Sequence, residues 1–385
     1  MRSLIASITG TRPGGRPALG RREPFWQRIH VDPWLLLLIL VLATIAGFVL
    51  YSASSMSMAL LYRQAAAYCI GLAVMLVIAQ FQPRFMERWV PVAYIACLLL
   101  LVAVELVGVQ SKGAQRWLSI PGVMRFQPSE IVKLVMPMIV AWYLARHALP
   151  PSFKSICITL VIILVPVVLI LKQPDLGTSL LVAIAGLFAL LMAGLRWRYI
   201  IGALVLLVPI ATAMWFFVLH EYQKRRVMTF MNPESDPLGA GWNIIQSKAA
   251  IGSGGVFGKG WLQGTQSHLD FLPEGHTDFI IAVLAEEFGL VGVCLLLIVY
   301  LLVIARGFYI TLQAQDTFSK LLAGSITLTF FIYVMVNIGM VSGLLPVVGV
   351  PLPLISFGGT SLVTLLSGFG ILMSIHTHRK WMVQR

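Results

Sequence analysis

Long apolar runs separated by short polar stretches recur along this chain, near 34–52, 66–80, 91–109, 128–145, 155–171, 176–195, 199–218, 279–304, 321–345 and 354–376. A helix needs about 20 apolar residues to cross the hydrocarbon core of a bilayer, so the pattern predicts ten crossings. The second run is short, and the fourth carries Glu130 and Lys133. The expected fold is all-α: a polytopic integral membrane protein with ten transmembrane helices, forming one domain over residues 1–385 with tails at 1–33 and 377–385. An even number of crossings puts both termini on one side. One polar segment stands out, the loop 219–277 between the seventh and eighth helices, far longer than an ordinary connection. It mixes Trp242, Ile244, Ile245, Phe257, Trp261, Leu262, Phe271 and Leu272 with nine glycines after position 238. That composition predicts a compact, turn-rich cap with a short helix near 242–251.

Composition agrees with this pattern. Of 385 residues, 58% are hydrophobic and 11% charged, against about 25% charged in an average soluble domain. An ordinary cytosolic enzyme, a disordered chain and a nucleic-acid-binding domain are excluded, and the surplus apolar surface must meet membrane lipids. The net charge of +13 reports orientation and anionic headgroups rather than DNA. Arg2, Arg12, Arg16, Arg21, Arg22 and Arg28 in the N-terminal tail, Arg84, Arg88, Arg146, Lys154, Arg196, Arg198, Arg306 and Lys320 in alternate loops, and Arg379, Lys380 and Arg385 at the end fall on one face. That face is predicted cytoplasmic, with both termini, and the long loop lies outside. Arg21-Arg22 resembles a twin-arginine export signal, but the apolar run that follows is too long and no small-residue cleavage site precedes the next. Cys69, Cys97, Cys157 and Cys294 all sit inside apolar runs without metal-ligand spacing, and read as buried free thiols.

Ionisable groups at membrane depth are costly and default to functional hypotheses. Glu130 and Lys133 stand three apart on one helix face near the outer end of the fourth run. They form either a neutralised structural pair or, beside Lys112, Arg116 and Arg125, a site for an anionic headgroup. Asp278 opens the eighth run in Pro273-Glu274-Gly275-His276-Thr277-Asp278-Phe279. Helix capping explains it locally; a carboxylate at the water–lipid boundary is also placed to act as a general base. Asp175 starts the sixth run, again with capping as the plain reading. Glu286 falls on the face of Asp278, as a hydrogen-bonded structural glutamate or, less simply, as part of a proton exit. Glu105 snorkels near the outer end of the third run. Gly252 to Lys259 (GSGGVFGK) mimics a phosphate-binding loop but lacks its first glycine, its Ser/Thr after the lysine and a preceding strand.

Asn337 to Ser361 reads NIGMVSGLLPVVGVPLPLISFGGTS. It resembles the signature of the SEDS family (shape, elongation, division and sporulation proteins), with Asn337, Gly343, Pro346, Gly349, Ser356, Gly358, Gly359, Thr360 and Ser361 at the family's spacing. Phe357 stands where that family more often has Tyr, Ser or Ala. GAQRW (113–117), QPSE (127–130), QPDLGTS (173–179), PESDPLGAGW (233–242), IGSGG (251–255) and FLPEGHTDF (271–279) match as well, although relatives often carry a larger residue at Gly275. The resemblance covers nearly the whole chain from residue 26 and is closest to the family's elongation branch.

The resemblance implies a peptidoglycan glycosyltransferase of the bacterial inner membrane that polymerises undecaprenyl-linked lipid II on the periplasmic face during lateral wall elongation and rod-shape maintenance. It carries the catalytic aspartate onto Asp278, a tryptophan onto Trp117, and a sensitive Glu and Lys onto Glu130 and Lys133. Thr277 stays beside the carboxylate. It also implies a class B penicillin-binding protein (penicillin-binding protein 2, a transpeptidase) and other elongasome proteins as partners. The chemistry fits these residues: inversion at the anomeric carbon needs one base, and a lipid diphosphate leaving group needs cations rather than an acid. Lys133, Arg116, Arg225 and Arg226 are the outer-face cations, the last two equally readable as headgroup anchors. Asp175 joins them as a substrate-side group. Magnesium or manganese is compatible with such a leaving group, but no acidic cluster fixes a divalent cation. Trp117 suits a sugar face, or an interfacial anchor. A lipid II flippase is the alternative from another class, and a wall-machinery scaffold a weaker third. The clustering of Glu130, Lys133, Asp175 and Asp278 near one face favours the enzyme.

Overall fold

The computed structural model describes residues 25–111, 114–120, 124–217, 221, 224, 228, 241–265 and 275–378. After a short turn of helix α1 (Phe25–Arg28), α2 (Pro33–Ala53) begins where Asp32 caps it, accepting hydrogen bonds from the Trp34 and Leu35 amides at 3.1 and 3.3 Å. Pro33 fits the first helical position because the amide it lacks would have had no partner there. Leu35, Ile39, Leu42, Ala46 and Val49 recur every three or four residues and are buried, while Trp34, Leu37, Leu40, Val41 and Phe48 face outward. An outward apolar face is what lipid requires.

The chain continues through α3 (Met58–Gln80), α4 (Pro83–Val107), α5 (Pro128–Ala145), α6 (Phe153–Lys172), α7 (Leu176–Met192), α8 (Trp197–Phe217), the cap helix α9 (Trp242–Gly254), α10 (Ile280–Gln313), α11 (Thr317–Val341) and α12 (Gly359–Thr377). Among the described residues nine helices are long and apolar enough to cross a membrane, and α7, at 17 residues, is a shorter apolar one. The all-α membrane architecture therefore holds, with shifted boundaries: α3 begins at 58 rather than 66, α10 runs to 313, and α12 begins at 359 rather than 354. The cap helix found at 242–254 matches the expected one. α5, α11 and α12 form the interior of the bundle, whereas no described residue of α8 is buried.

Two features depart from the sequence reading. Between α4 and α5 the chain makes a small antiparallel meander, β1 (Val109–Ser111), β2 (Ala114–Ile120) and β3 (Met124–Phe126), pairing Val109 with Trp117 and Leu118 with Phe126. Such short strands lack the periodicity that would announce them. The second departure concerns the thiols: Cys97 is buried, but Cys69, Cys157 and Cys294 lie on the outward apolar face. An apolar run in a membrane protein marks lipid contact as readily as burial.

α10 is two helices in line, broken at Gly289, whose φ of 63° and ψ of −162° are not helical. A continuous helix would pair the Leu290 and Val291 amides with the Glu286 and Glu287 carbonyls. Instead those carbonyls accept from the Lys259 and Gly260 amides, both at 3.0 Å, and the Leu290 and Val291 amides donate to the Gly255 and Val256 carbonyls at 3.0 and 3.1 Å. Loop 255–260 is thus spliced into the helix. The approach is close enough that a Cβ on Gly258 would run into the Glu287 carbonyl, and one on Gly289 into the Gly258 amide. The phosphate-loop mimic is a backbone plug.

Both ends of the described chain meet at the far end of the bundle. Buried Asp32 accepts hydrogen bonds from Arg306 Nε and Nη2, each at 2.9 Å, and lies 3.9 Å from His376 Nε2. Beside this cluster the His30 and His378 rings stack at 4.0 Å. Burial and the neighbouring His30 hold the His378 ring below the ordinary histidine pKa, partly offset by the hydrogen bond to the Ser374 carbonyl. A depressed pKa means stability that is complete above the ordinary value of about 6.5 and is lost as pH falls toward the folded-state value. Thermal unfolding in detergent should therefore drop as pH is lowered through 6.5, and His378→Gln should flatten that part of the profile. Asp32→Ala should cost about 2–3 kcal/mol, the lower end for a broken buried pair because Arg306 keeps some exposure, read as a fall in unfolding temperature.

Candidate active site

At the other end of the bundle, four segments converge. The turn before α10 carries Asp278, and its backbone is held from three directions. Asn337 Nδ2 donates to the Asp278 carbonyl at 2.8 Å and to the Val350 carbonyl at 2.7 Å. Ser356 Oγ donates to the Thr277 carbonyl at 2.5 Å while accepting from the Leu352 amide at 2.8 Å, and the Phe357 amide donates to the His276 carbonyl at 3.0 Å. Asn337 reaches these carbonyls from the last turns of α11, whereas Ser356 and Phe357 belong to the segment 343–357, which is not helical although it follows a membrane helix directly. Together the two fix the backbone that carries Asp278. Gly349, at φ 71°, takes a backbone conformation that other residues rarely adopt, and it lies beside the carboxylate, where a Cβ would stand in ordinary contact 3.5 Å from Asp278 Oδ2.

The second segment is the start of α5. Pro128 opens the helix and Glu130 lies in its first turn, where the positive end of the helix dipole favours a carboxylate. Lys133 Nζ donates to Glu130 Oε1 at 2.6 Å, with both side chains about 10% exposed. An ammonium carries three donors, and Glu130 engages one. The same ammonium lies 5.5 Å from the centroid of the Tyr333 ring.

The third segment, 173–178, presents Asp175, which caps α7 by accepting from the Thr178 amide at 3.2 Å. Its other oxygen accepts from Gln127 Nε2 at 3.1 Å and lies 3.6 Å from Arg116 Nη1. β2 is the fourth segment. From it Arg116 reaches the Pro174 carbonyl through Nη2 at 2.6 Å and the Gln173 carbonyl through Nε at 3.3 Å. The capping reading of Asp175 is thus satisfied in full, and the same side chain also fixes a guanidinium.

These groups line one cavity of about 400 Å³, into which Asp278, Glu130, Lys133, Asp175, Arg116 and Trp117 all face. Six of the residues singled out in the sequence are therefore brought together. Thr277 stays behind Asp278, its carbonyl engaged by Ser356. Arg225 and Arg226 lie outside the described residues, as does Lys112. Gln127 and Tyr333 also line the cavity and were not anticipated. Gln127 belongs to a quoted motif, whereas Tyr333 reads as one more apolar-run aromatic. Among the described residues the cavity is lined by two cations, each matched by a carboxylate, with the Asp278 carboxyl as a third acid. Below Lys133 and Tyr333 the interior continues between Leu134, Pro137, Ile304, Phe330 and Phe369, with threonine hydroxyls and, among the described residues, no further charge.

This chain resembles known proteins over nearly all of its length. The family profile described as cell cycle protein, covering FtsW, RodA and SpoVE, matches residues 33–381. The peptidoglycan glycosyltransferase MrdB of Escherichia coli K12 is 55% identical over 359 residues, 93% of this chain and 97% of that protein. Among solved structures, a chain from work on the structural coordination of polymerization and crosslinking by a peptidoglycan synthase complex superposes with a TM-score of 0.81 at 32% identity, covering 90% of this chain and 98% of that one. The crystal structure of the rod shape determining protein RodA of Thermus thermophilus gives a TM-score of 0.68 at 29% identity, over 90% of this chain and 97% of that one. A profile match of that extent, on a bundle of the same architecture, places the chain in the FtsW, RodA and SpoVE family of cell cycle proteins.

Proposed function

We propose that this chain is a peptidoglycan glycosyltransferase of the membrane that polymerises lipid II in the 400 Å³ cavity, with Asp278 as general base. One observation carries the reading: Asp278, the Lys133–Glu130 pair and the Arg116–Asp175 pair open onto a single cavity at one end of the bundle. A base, two cations and room for a sugar are what the reaction needs. In the step, Asp278 takes the proton of the acceptor 4-hydroxyl as the hydroxyl oxygen bonds to the donor's anomeric carbon. The bond from that carbon to the phosphate oxygen breaks, and the electron pair leaves on the lipid diphosphate. Lys133 and Arg116 oppose the charge that develops there, which is where preorganised cations are most effective. Trp117 offers a face for a sugar ring.

The end where residues 30–32 and 376–378 meet is read as cytoplasmic from the lysines and arginines on that side, and the cavity as periplasmic. Asp32 and His376 are adjacent at the first end, and Arg306, which joins them, lies 28 residues along α10 from Asp278. The relative caught in a complex of polymerisation and crosslinking supports a class B penicillin-binding protein as partner, docked on the cap and the outer ends of the late helices. Among the described residues no three His, Cys, Asp or Glu side chains gather to hold a metal. Magnesium or manganese would enter this cavity with the diphosphate.

Given lipid II and the partner, Asp278→Ala should lose at least about 100-fold in polymer formation, the scale of a removed general base, with unchanged co-purification of the partner. Undiminished polymerisation would remove Asp278 from this role. A wild-type protein that moves lipid II across liposomes and makes no polymer would establish the flippase reading instead. Lys133→Met should lower kcat/KM by roughly 10²–10³-fold, as for a removed oxyanion donor, and Lys133→Arg should recover part of it.

A further inference from the structure

Asp278 immediately precedes a piece of helix, Ile280–Phe288, that ends at the break at Gly289. Nine residues of helix span about 13 Å and are marginal in isolation. It is buried along its length from Ile280 to Glu287, and specific polar contacts grip it at both ends. The Asn337 and Ser356 contacts hold the first end. The second end carries two adjacent carboxylates, Glu286 and Glu287, both fully buried. Lys259 Nζ donates to Glu286 Oε1 at 2.7 Å and to Thr265 Oγ1 at 2.7 Å, and Thr265 Oγ1 donates to the same Glu286 oxygen at 3.2 Å. Ser52 of α2 donates through Oγ to Glu287 Oε1, and Trp261 Nε1 donates to the Phe48 carbonyl at 3.2 Å. Lys259 comes from the loop whose backbone is spliced into the helix, so charge and backbone grip the same two residues, 286 and 287.

We propose that Lys259 and Glu286 are positioning residues for Asp278: this pair, half-buried at the ammonium and fully buried at the carboxylate, locks the cap loop into the break in α10 and so helps set the placement of the half-helix whose start carries the base. The lever is short, eight residues from Asp278 to Glu286, and its far end is tied both to the cap and to α2. A shift of the cap loop moves Asp278. This inference deepens the reading of Asp278 as the base and rests on it.

The test uses the full-length protein with its crosslinking partner in detergent and lipid II as substrate, with wild type and Asp278→Asn alongside. Polymer from the former and none from the latter establishes the base independently of the latch. Lys259→Met should then lower kcat about tenfold or more while the KM for lipid II stays within about twofold, with an unfolding temperature close to that of wild type. Lys259→Arg should restore most of the loss. Gly258→Ala, which wedges the loop off the helix and removes no charge, should reproduce it. Wild-type kcat in Lys259→Met, a change confined to KM, or a kcat loss that Lys259→Arg leaves unrepaired would each overturn the proposal. Should Lys259→Met not fold, Glu286→Gln takes its place, with kcat loss supporting and wild-type kcat overturning. Hydrogen exchange gives a readout without turnover: amides 280–288 should exchange faster in Lys259→Met, and those of 295–313 should not. Were the wild type to make no polymer, the enzymatic reading would fall, and unchanged exchange at 280–288 would separately sink the latch.

Discussion

The constraint on which this structure turns is that backbone amides and carbonyls at membrane depth must find partners within the protein. Continuous helices meet it automatically and place nothing but side chains where chemistry is wanted. This chain interrupts its helices twice near one end of the bundle, and each interruption is matched by a specific donor or acceptor. At Gly289 the two orphaned rungs of α10 are taken over by loop 255–260. Across 343–357 the Asn337 amide and the Ser356 hydroxyl take up the carbonyls of Asp278, Thr277 and Val350. Both repairs touch the segment that carries Asp278. The irregular backbone is therefore where the carboxylate is held, and its position is defined by hydrogen bonds rather than by packing alone.

Confinement of charge follows from the same economy. A buried ion is tolerable when its partner is built in, and every cation at the cavity has one: Glu130 for Lys133 and Asp175 for Arg116. Each carboxylate also stands in a helix first turn or cap, where the dipole favours it. On the proposed reading, an arriving diphosphate would compete with these acids for cations that are already in place. The apolar continuation below Lys133 has no comparable provision. A passage for a headgroup through the bundle would need charge and backbone partners along its length, and the described residues supply them at one end.

Much of this was legible in the sequence, for a physical reason. Ionisable residues are rare in a chain that is 11% charged, so Glu130, Lys133, Asp175 and Asp278 were conspicuous against apolar runs and were found in one cavity. The ten runs translated into helices because hydrophobic length is a direct physical requirement. What escaped depended on partners remote in sequence. Nothing local indicates that Asn337 serves a carbonyl 59 residues away, or that Lys259 meets a glutamate 27 residues on. The β meander escaped because β1 and β3 have only three residues and β2, AQRWLSI, does not alternate apolar with polar positions, and the three outward-facing cysteines because lipid contact and burial have the same composition.

The two repairs differ in what they can transmit. The contacts of Asn337 and Ser356 join Asp278 to the ends of α11 and to the segment before α12, elements buried in the middle of the bundle. The loop at Gly289 joins the other end of the same half-helix to the cap, whose helix α9 is tied to α11 by the Ser247 hydroxyl donating to the Val341 carbonyl at 2.9 Å. One anchor is rigid because its surroundings are closely packed on all sides. The other ends on a surface that a partner protein can reach. The half-helix that follows Asp278 is therefore held at one end by the interior of the bundle and at the other by the cap. The path from the cap to Asp278 thus runs through the backbone bonds that the break in α10 made necessary.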